Sequence, residues 1–351
     1  MRNRKIHILF NVFADAGSYN AQSLNAREIA LRLDRDRFHS TFFLERFADT
    51  RLEGAGVRLV RMPQKRRTIR VFGEMLGRFD LIMYMDPSPA SYTYLHLPRF
   101  MRRSTRTIFC MEGPRGNFEG VSPTVVKYAF YVARHSDGRT AVSEFVARDA
   151  RNYGGVQTDA IIPPGVDTKV FHPPGSREHA VPTVLFVGHL IERKGAQFVV
   201  EAAERLPEVR FRLIGSPRGS FGEDLQKKCK SLSNVSAELP RPQSQLAEVM
   251  RECDVMLHPS RVEGVPKVTL EAAATGLPCV VFDDYKSPSV VDGATGYQVK
   301  TTEEMLARLN MLIADRSLRE RMGTAAVIHA REFDWDKIAA KWTEFFERLA
   351  A

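Results

Sequence analysis

Residues 258–278 have the sequence HPSRVEGVPKVTLEAAATGLP, which combines the end of a strand, a turn and a helix in 21 residues. It follows a short apolar strand, residues 255–257, and the chain breaks at Pro259. A helical pattern comes next, whose first turn can hold Pro266 and whose end is marked by Gly276. The pattern predicts a strand, a turn and a helix in direct succession, as in a parallel α/β domain.

Two carboxylates flank the predicted helix start. Glu263 lies in the turn and Glu271 inside the helix, about 12 Å further on if the whole segment were helical. The N–H groups of Gly264, Val265 and Lys267 and the positive end of the helix dipole would face the space beyond the strand ends, which suits a phosphate. The arrangement favours a ligand with hydroxyl groups at both ends and a diphosphate between them, such as a nucleotide-sugar.

The same stretch resembles the Glu-x7-Glu signature of the retaining glycosyltransferases of family 4 (glycosyl transferases group 1). The residues that carry the resemblance are Ser260, Glu263-Gly264, Glu271-Ala272 and Gly276-Leu277-Pro278. The resemblance implies the α/β fold called GT-B: two Rossmann-like domains with parallel sheets facing across a cleft, and a C-terminal helix that crosses back to the first domain. It also implies transfer of a sugar from a nucleotide diphosphate donor with retained anomeric configuration and without a metal.

The length and composition allow two domains. The chain has 351 residues, of which 44% are hydrophobic and 26% charged, as in ordinary globular proteins. The proline-rich segment that begins near Ile161 is similar to the family's interdomain signature at Gly165-Val166-Asp167 and Phe171-His172-Pro173. We therefore expect an acceptor-binding domain over 1–163, a linker over 164–182, a nucleotide-sugar domain over 183–331 and a terminal helix over 332–351.

The positive charge is confined to the first half of the chain. Residues 1–165 contain 26 Lys and Arg against 16 Asp and Glu, whereas residues 166–351 contain 25 against 26. This imbalance favours an anionic partner of the first half: a phospholipid surface, a lipid-linked diphosphate or an acidic saccharide. Nucleic acid is not expected, because the sequence has no recognised nucleic-acid motif.

A basic cluster precedes a helical pattern over residues 65–79. Ile69, Phe72, Leu76 and Phe79 recur at helical spacing. We favour a helix that packs these four residues into the core and leaves its basic end in solvent. A helix that lies on a membrane surface or binds an acidic acceptor is the alternative.

The cysteines and the N-terminus suggest a reducing compartment. The four cysteines are scattered without a Cys-x-x-Cys pair, so neither a disulfide framework nor a zinc site is expected. The apolar run over 6–13 is brief and contains His7 and Asn11, which favours a buried strand over a signal peptide. No stretch is long enough to cross a bilayer. We expect a cytoplasmic protein, with peripheral attachment to the inner face of the cell membrane as the open alternative.

The segment from Gly188 to Gly195 resembles the family's diphosphate-binding loop with one departure. Relatives usually carry an arginine where His189 stands and a lysine where Lys194 stands. Either Arg193 supplies the missing cation, or His189 binds partly protonated beside the phosphate. Solvated charges at a helix start are the alternative interpretation.

The first domain contributes two further candidates. Relatives place a histidine at the end of the strand where Glu112 stands here. Glu112 would accept a hydrogen bond from a sugar or from the acceptor hydroxyl, or else cap the N–H groups of Gly113 or Gly116. The loop containing Gly17 faces donor phosphate and acceptor in the family, although a plain turn glycine is an equal alternative.

By the resemblance, Glu263 would hold sugar hydroxyls near the reacting carbon, and the leaving phosphate itself would take the acceptor's proton. The residues expected to be catalytic are Glu263, Lys194, Arg193 and Glu112. Those expected to bind the donor are Glu271, Gly264, Val265, Pro266, Lys267, Gly188, His189, Gly215, Arg241 and Gly17.

The expected function is sugar transfer from a UDP or GDP donor to a saccharide, lipid-linked or small-molecule acceptor in envelope polysaccharide or glycoconjugate synthesis. No metal and no further cofactor are expected. The alternatives are a sugar-nucleotide epimerase or hydrolase of the same fold, and a non-catalytic protein that binds sugar-nucleotides.

Overall fold

The computed structural model describes residues 4–15, 21–85, 88–102, 104–114, 122–176, 179 and 181–351. The chain divides into two compact units. One contains Met1–Pro164 together with Trp335–Ala351, and the other contains Gly165–Asp334. The segment that we expected to be a separate linker is counted with the second unit from Gly165 onwards.

The first domain is built on a parallel sheet of seven strands in the order β3-β2-β1-β4-β5-β6-β7. Its strands are β1 (Ile6–Phe13), β2 (Phe38–Leu44), β3 (Arg58–Arg61), β4 (Leu81–Tyr84), β5 (Arg106–Met111), β6 (Gly138–Ala141) and β7 (Ala160–Ile161). Its helices are α1 (Ala21–Arg32), α2 (Thr50–Gly54), α3 (Arg67–Met75), α4 (Pro89–His96), α5 (Pro123–His135) and α6 (Glu144–Gly154).

The central strand β1 is apolar and buried, as the middle strand of a parallel sheet requires. Ile8, Leu9 and Phe10 are fully buried, because a parallel sheet is covered by helices on both faces. The Phe10 ring stacks on Phe42 of β2 with centroids 4.7 Å apart. The apolar run near the N-terminus is therefore a core strand, as the sequence indicated.

The second domain repeats the architecture with six parallel strands in the order β10-β9-β8-β11-β12-β13. Its strands are β8 (Thr183–Val187), β9 (Arg210–Ile214), β10 (Val235–Glu238), β11 (Val255–His258), β12 (Cys279–Phe282) and β13 (Gly296–Val299). Its helices are α7 (Ala196–Arg205), α8 (Gly219–Ser231), α9 (Gln243–Arg251), α10 (Lys267–Thr275), α11 (Thr302–Ala314) and α12 (Arg316–Ala330).

The strand order of the second domain reverses between β8 and β11. From β8 the chain continues to β9 on one side of the sheet order, and from β11 it continues to β12 on the other, so the direction of winding changes between these two adjacent strands. In open α/β sheets, ligands bind in the crevice at this switch point.

The last helix, α13 (Trp335–Ala350), packs on the first domain as the fold prediction required. Its Phe346 ring lies edge-on to Phe10, with centroids 6.2 Å apart. On Gly138 of β6, a Cβ atom would lie only 2.9 Å from a side-chain carbon of Leu349, so the glycine lets α13 approach the sheet.

Helix α3 differs from the favoured prediction. Phe79, beyond the helix, is buried and Phe72 is half-buried, but Ile69 is 68% exposed and Leu76 is 39% exposed. The predicted core packing is therefore wrong for Ile69 and Leu76. The helix is rotated so that Met75 and Phe72 turn inwards, which leaves an apolar stripe on its outer side.

Two smaller features complete the fold. All four cysteines are buried free thiols. In the part of the chain that the structure describes, no helix is long and apolar enough to cross a membrane.

Candidate functional site

Two glycines, Gly188 and Gly215, lie in close contact at the carboxyl ends of β8 and β9. Gly188 follows β8 and Gly215 follows β9. A Cβ on Gly215 would collide with the Gly188 carbonyl oxygen, and the Gly188 N–H donates to the Ile214 carbonyl at 2.9 Å. Only glycine fits at Gly215, and its close contact fixes where the loop after β8 begins.

A third glycine, Gly195, allows the loop after β8 to approach the backbone just beyond the end of β11. Gly195 has a φ of +71°, a left-handed conformation that side chains disfavour, and a Cβ there would collide with the Pro259 carbonyl oxygen. The Ser260 hydroxyl donates to the Arg193 carbonyl at 3.2 Å. The Arg193 guanidinium in turn donates to the Val262 carbonyl at 2.8 Å. The loops after β8 and β11 are thus held together by backbone contact and hydrogen bonds.

This arrangement brings Lys194 and Glu263 into an ion pair. The Lys194 ammonium contacts the Glu263 carboxylate, whose residue is only 7% exposed. Burial alone would raise the pKa of Glu263, but the positive charge of the Lys194 ammonium holds that pKa well below its usual range. Glu263 is therefore ionised throughout the neutral range and forms a fixed anionic acceptor at the switch point.

His258 and Tyr285 complete the surroundings of Glu263, and neither residue was predicted from the sequence to have a role. His258 is 1% exposed, and its Nε2 atom lies 3.5 Å from Glu263 Oε1. Burial lowers the pKa of His258, so its imidazole is neutral. Burial raises the pKa of Tyr285, and the charge of Glu263 raises it further. His258 is the last residue of β11, a position where the sequence alone does not distinguish a core histidine from a site residue.

Helix α10 begins one residue later than expected. Pro266 is its N-cap residue, so Pro266 precedes the helix instead of lying in its first turn. The segment from Glu263 to Glu271 is consequently not one continuous helix. The Lys267 ammonium, at the first helical position, donates to the Gly165 carbonyl at 3.3 Å. The backbone of Gly264, Val265 and Pro266 links the Glu263 turn to this helix start.

Glu271 lies inside α10 and is buried, with 5% exposure. Its Oε1 accepts a hydrogen bond of 3.3 Å from the Gln243 side chain at the start of α9. Burial raises the pKa of Glu271, against the opposing charge of Lys267. A buried carboxylate with one amide partner has unused acceptor capacity, as a site for ligand hydroxyl groups requires.

The remaining candidates of the second domain differ in their partners. Burial lowers the pKa of His189, and the nearby cations Arg218 and Lys194 lower it further, so its imidazole is neutral. Which of His189 and Arg193 would contact a diphosphate stays a prediction. Arg241 is exposed and forms an ion pair of 2.6 Å with Glu238. Within the described ranges, no three His, Cys, Asp or Glu side chains group as metal ligands would.

Glu112 belongs to the first domain, where it follows β5. Its Oε1 atom accepts a hydrogen bond of 2.8 Å from the Asn25 amide on α1. Gly17 and Gly116 lie outside the described residues. The structure therefore gives Glu112 a side-chain partner that the sequence did not suggest.

Comparison with known proteins finds sequence similarity to glycosyltransferases over the second domain. Residues 168–328 match the family model described as glycosyl transferases group 1. D-inositol 3-phosphate glycosyltransferase of Nocardia farcinica is 32% identical over 234 residues, which cover 58% of this chain and 51% of the relative. The enzyme of the same name from Nocardiopsis dassonvillei is 28% identical over 248 residues, covering 63% of this chain and 58% of the relative. The chain thus spans about half the length of the curated relatives it matches.

Solved structures cover the chain more completely. Anabaena Alr3699/HepE, solved in complex with UDP and glucose, aligns with a TM-score of 0.81 and 19% identity over 98% of this chain and all of the other. Sucrose-phosphate synthase of Thermosynechococcus elongatus aligns with a TM-score of 0.80 and 17% identity, covering 99% of each chain. These alignments confirm the predicted fold class: two Rossmann-like domains with parallel sheets, in the manner of the GT-B glycosyltransferases.

Proposed function

We propose that the chain is a retaining glycosyltransferase that takes a sugar from a nucleotide diphosphate donor. The observation that carries the proposal is the position of the Lys194–Glu263 pair at the point where the strand order reverses between β8 and β11. A cation for the diphosphate and an ionised carboxylate for sugar hydroxyls then lie where a parallel α/β sheet binds its ligand. The match of residues 168–328 to glycosyl transferases group 1 supports the same function.

Each side chain has a role in this proposal. Lys194, with Arg193 beside it, stabilises the charge that develops on the departing diphosphate, as preorganised cations do in phosphate chemistry. Glu263 accepts hydrogen bonds from sugar hydroxyls, and Glu271 accepts them from the ribose. The backbone from Gly264 to Lys267 faces the sugar and the phosphate. These groups supply the stabilisation for which other enzymes use a metal ion.

Donor binding requires the Lys194–Glu263 contact to change. The diphosphate takes the Lys194 ammonium as its own partner, and the Glu263 carboxylate turns to the sugar. His258, 3.5 Å from Glu263, remains beside the carboxylate during this exchange. A partly buried ion pair therefore gives way to two ion–ligand contacts, which offsets the loss of the pair.

The similar proteins and the charge of the first domain indicate which donor nucleotides and acceptors to test first. The Anabaena protein of similar fold was solved with UDP and with UDP-glucose, which makes UDP-sugars the first donors to test and GDP-sugars the second. The curated relatives are named for transfer to D-inositol 3-phosphate, an anionic acceptor. The excess of basic residues over 1–165 suits an anionic acceptor, whether phosphorylated, lipid-linked or an acidic saccharide.

A donor panel tests the proposal. UDP, GDP and ADP are compared by thermal shift, and the sugar forms of the nucleotide that stabilises the protein are then assayed for release of nucleoside diphosphate. We expect one nucleotide to raise the melting temperature selectively, and turnover to require an acceptor. Rapid donor consumption without acceptor would favour a hydrolase or epimerase instead. Selective binding without any turnover would favour a non-catalytic binding protein.

A further inference from the structure

We propose that the outer side of helix α3 in the first domain docks on an anionic phospholipid surface. This α3 face consists of the apolar residues Ile69 and Leu76 and the cations Lys65, Arg66 and Arg70. Docking on a membrane goes beyond the proposed sugar transfer. Because docking needs no turnover, the two proposals are tested separately.

The apolar part of the α3 face is a stripe that faces water. Ile69 is 68% exposed and Leu76 is 39% exposed. The two residues are seven positions apart, about two helical turns, so their side chains lie on one side of the helix. Gly73 lies between them and is also exposed, which leaves the stripe open to a flat partner. A surface helix normally turns such residues towards the core, and here Met75 already fills that position.

The cations of the α3 face flank this stripe. Arg66 and Arg70 lie one turn apart and are exposed, and Lys65 precedes them. Arg66 adopts the left-handed conformation, with a φ of +60°, which is uncommon for a residue with a side chain. Within the described residues, neither Lys65 nor Arg66 forms an ion pair, and Arg70 lies 3.8 Å from Glu74.

Two ion pairs beside α3 show that its other nearby cations are already engaged by acidic residues of the protein. Arg67, on the same helix, is paired with Glu45. Glu74 holds Arg58 more closely than Arg70, at 2.6 Å. The acidic residues near α3 are therefore engaged by Arg67 and Arg58, which leaves the outward cations for an external anion.

The layer beside α3 carries further apolar residues. Helix α4 packs next to α3, and the loop after α4 exposes 81% of Phe100 and 48% of Met101. Arg99 in the same loop is 70% exposed while it pairs with Asp137 at 2.7 Å. Protruding aromatic and apolar side chains beside cations are the composition that lipid headgroups and the adjoining acyl chains accept.

Charge decides between a membrane and a second copy of the chain. Residues 1–165 carry 26 Lys and Arg against 16 Asp and Glu, so two such domains facing each other through α3 would repel. An anionic bilayer attracts the same face, and each Lys or Arg near its surface strengthens binding. Because α3 has only nine residues, we expect weak and salt-sensitive attachment.

Vesicle co-sedimentation of the whole chain tests the proposal. Vesicles of phosphatidylcholine alone are compared with mixed phosphatidylcholine and phosphatidylglycerol vesicles at low and at physiological salt. We expect binding to the phosphatidylglycerol vesicles only, weakened by salt. Replacement of both Arg66 and Arg70 by Gln should reduce the partition coefficient about 25-fold, at about five-fold for each cation. The pair Ile69→Ser and Leu76→Ser should reduce it several-fold.

Matched controls come from the second domain. Ile328→Ser removes a side chain that is 60% exposed on α12, and Lys227→Gln removes an exposed cation on α8; both should leave partition unchanged. Melting temperatures of all variants verify folding. Absence of binding to phosphatidylglycerol vesicles at low salt would overturn the proposal, and so would α3 variants that bind like the parent. Reversible dimerisation that Ile69→Ser abolishes would also overturn it, because the face would then be an interface between copies.

Discussion

The Lys194 ammonium and the Glu263 carboxylate form an ion pair although 69 positions separate them in the chain. They meet because β8 and β11 are adjacent parallel strands and each residue follows the carboxyl end of one of them. The pair is largely buried, with 20% of the Lys194 side chain and 10% of the Glu263 side chain exposed. Its local surroundings therefore govern both the stability and the proposed chemistry of the second domain.

Removal of Lys194 should affect stability and donor binding together. Lys194→Ala leaves Glu263 buried beside a neutral histidine, and loss of one partner of a buried pair costs about 3 kcal/mol. We expect the melting temperature to fall by about 6 to 12 °C. Nucleoside diphosphate binding should weaken at least ten-fold, as measured by calorimetry at a temperature where the variant remains folded.

A double replacement separates these two effects. Lys194→Met combined with Glu263→Gln removes both charges, so most of the lost stability should return while turnover stays absent. Lys227→Ala, at an exposed lysine of the same domain, is the control and should change neither property. Turnover restored along with stability would show that the pair is only structural.

Gly195 should be intolerant of any side chain. Gly195→Ala forces a Cβ into the Pro259 carbonyl oxygen and requires a φ of +71°. We expect a loss of at least about 2 kcal/mol in the free energy of unfolding. Gly175→Ala is the matched control, since a Cβ there meets no atom within 4 Å, and should change stability by less than about 0.5 kcal/mol. Urea denaturation measures both, and equal stabilities would contradict the close approach of the two loops.

The fold was largely predictable because its signals are local. Apolar runs such as residues 279–282 and the glycine and proline at the end of α10 mark strands and helix ends without reference to the rest of the chain. The orientation of α3 was not predictable in this way. Ile69 and Leu76 have helical periodicity, but periodicity shows only which residues share a side of the helix and not which side faces the core.

The ionisation of Glu271 should make stability depend on pH. Burial raises its folded-state pKa above the unfolded value, so ionisation is easier in the unfolded chain and stability decreases as pH rises from about 4 through the folded pKa. Glu271→Gln removes this loss of stability at higher pH, because a glutamine side chain does not ionise. We expect the variant to melt higher than the parent at pH 7 and to lose this advantage near pH 4, while its donor affinity falls. A variant less stable than the parent at pH 7 would contradict the pKa direction.

Glu263 should show the opposite dependence. The folded-state pKa of Glu263 is lowered. Its contribution to the free energy of unfolding is therefore present above the unfolded pKa of about 4.3 and is lost as pH falls towards the folded value. The difference in free energy of unfolding between the parent and Glu263→Gln should therefore shrink steadily below about pH 4. Chemical denaturation across acidic pH measures it, and a constant difference would show that Glu263 gains nothing from Lys194.

Glu112 provides a test in the first domain. Glu112→Gln keeps the size of the side chain and an oxygen for the Asn25 amide, so folding should persist. We expect kcat to fall at least ten-fold with an unchanged melting temperature if the carboxylate contacts sugar or acceptor. Asn25→Ala, which removes the partner, tells whether the hydrogen bond alone accounts for the effect. Unchanged turnover in Glu112→Gln would assign the residue a structural role.

The candidate site was predictable only in part. Glu263, Lys194 and Glu271 were predicted because the resemblance covers the loops after β8 and β11 and the helix α10. The contribution of His258 could not be found from sequence, since a histidine at the end of a strand is more often a core residue, and its contact with Glu263 arises only when the turn folds back. The neutral state of His189 likewise depends on cations brought near it by the fold.

Calorimetric titration of the parent chain and of Lys194→Ala with UDP, GDP and ADP measures directly whether the Lys194–Glu263 pair lies in a site for a nucleotide diphosphate. We expect the parent to bind one of these nucleotides selectively and the variant, still folded, to bind it at least ten-fold more weakly. Binding of none of the three by the parent, or equal affinity in the variant, would contradict the assignment of this pair to a nucleotide diphosphate donor.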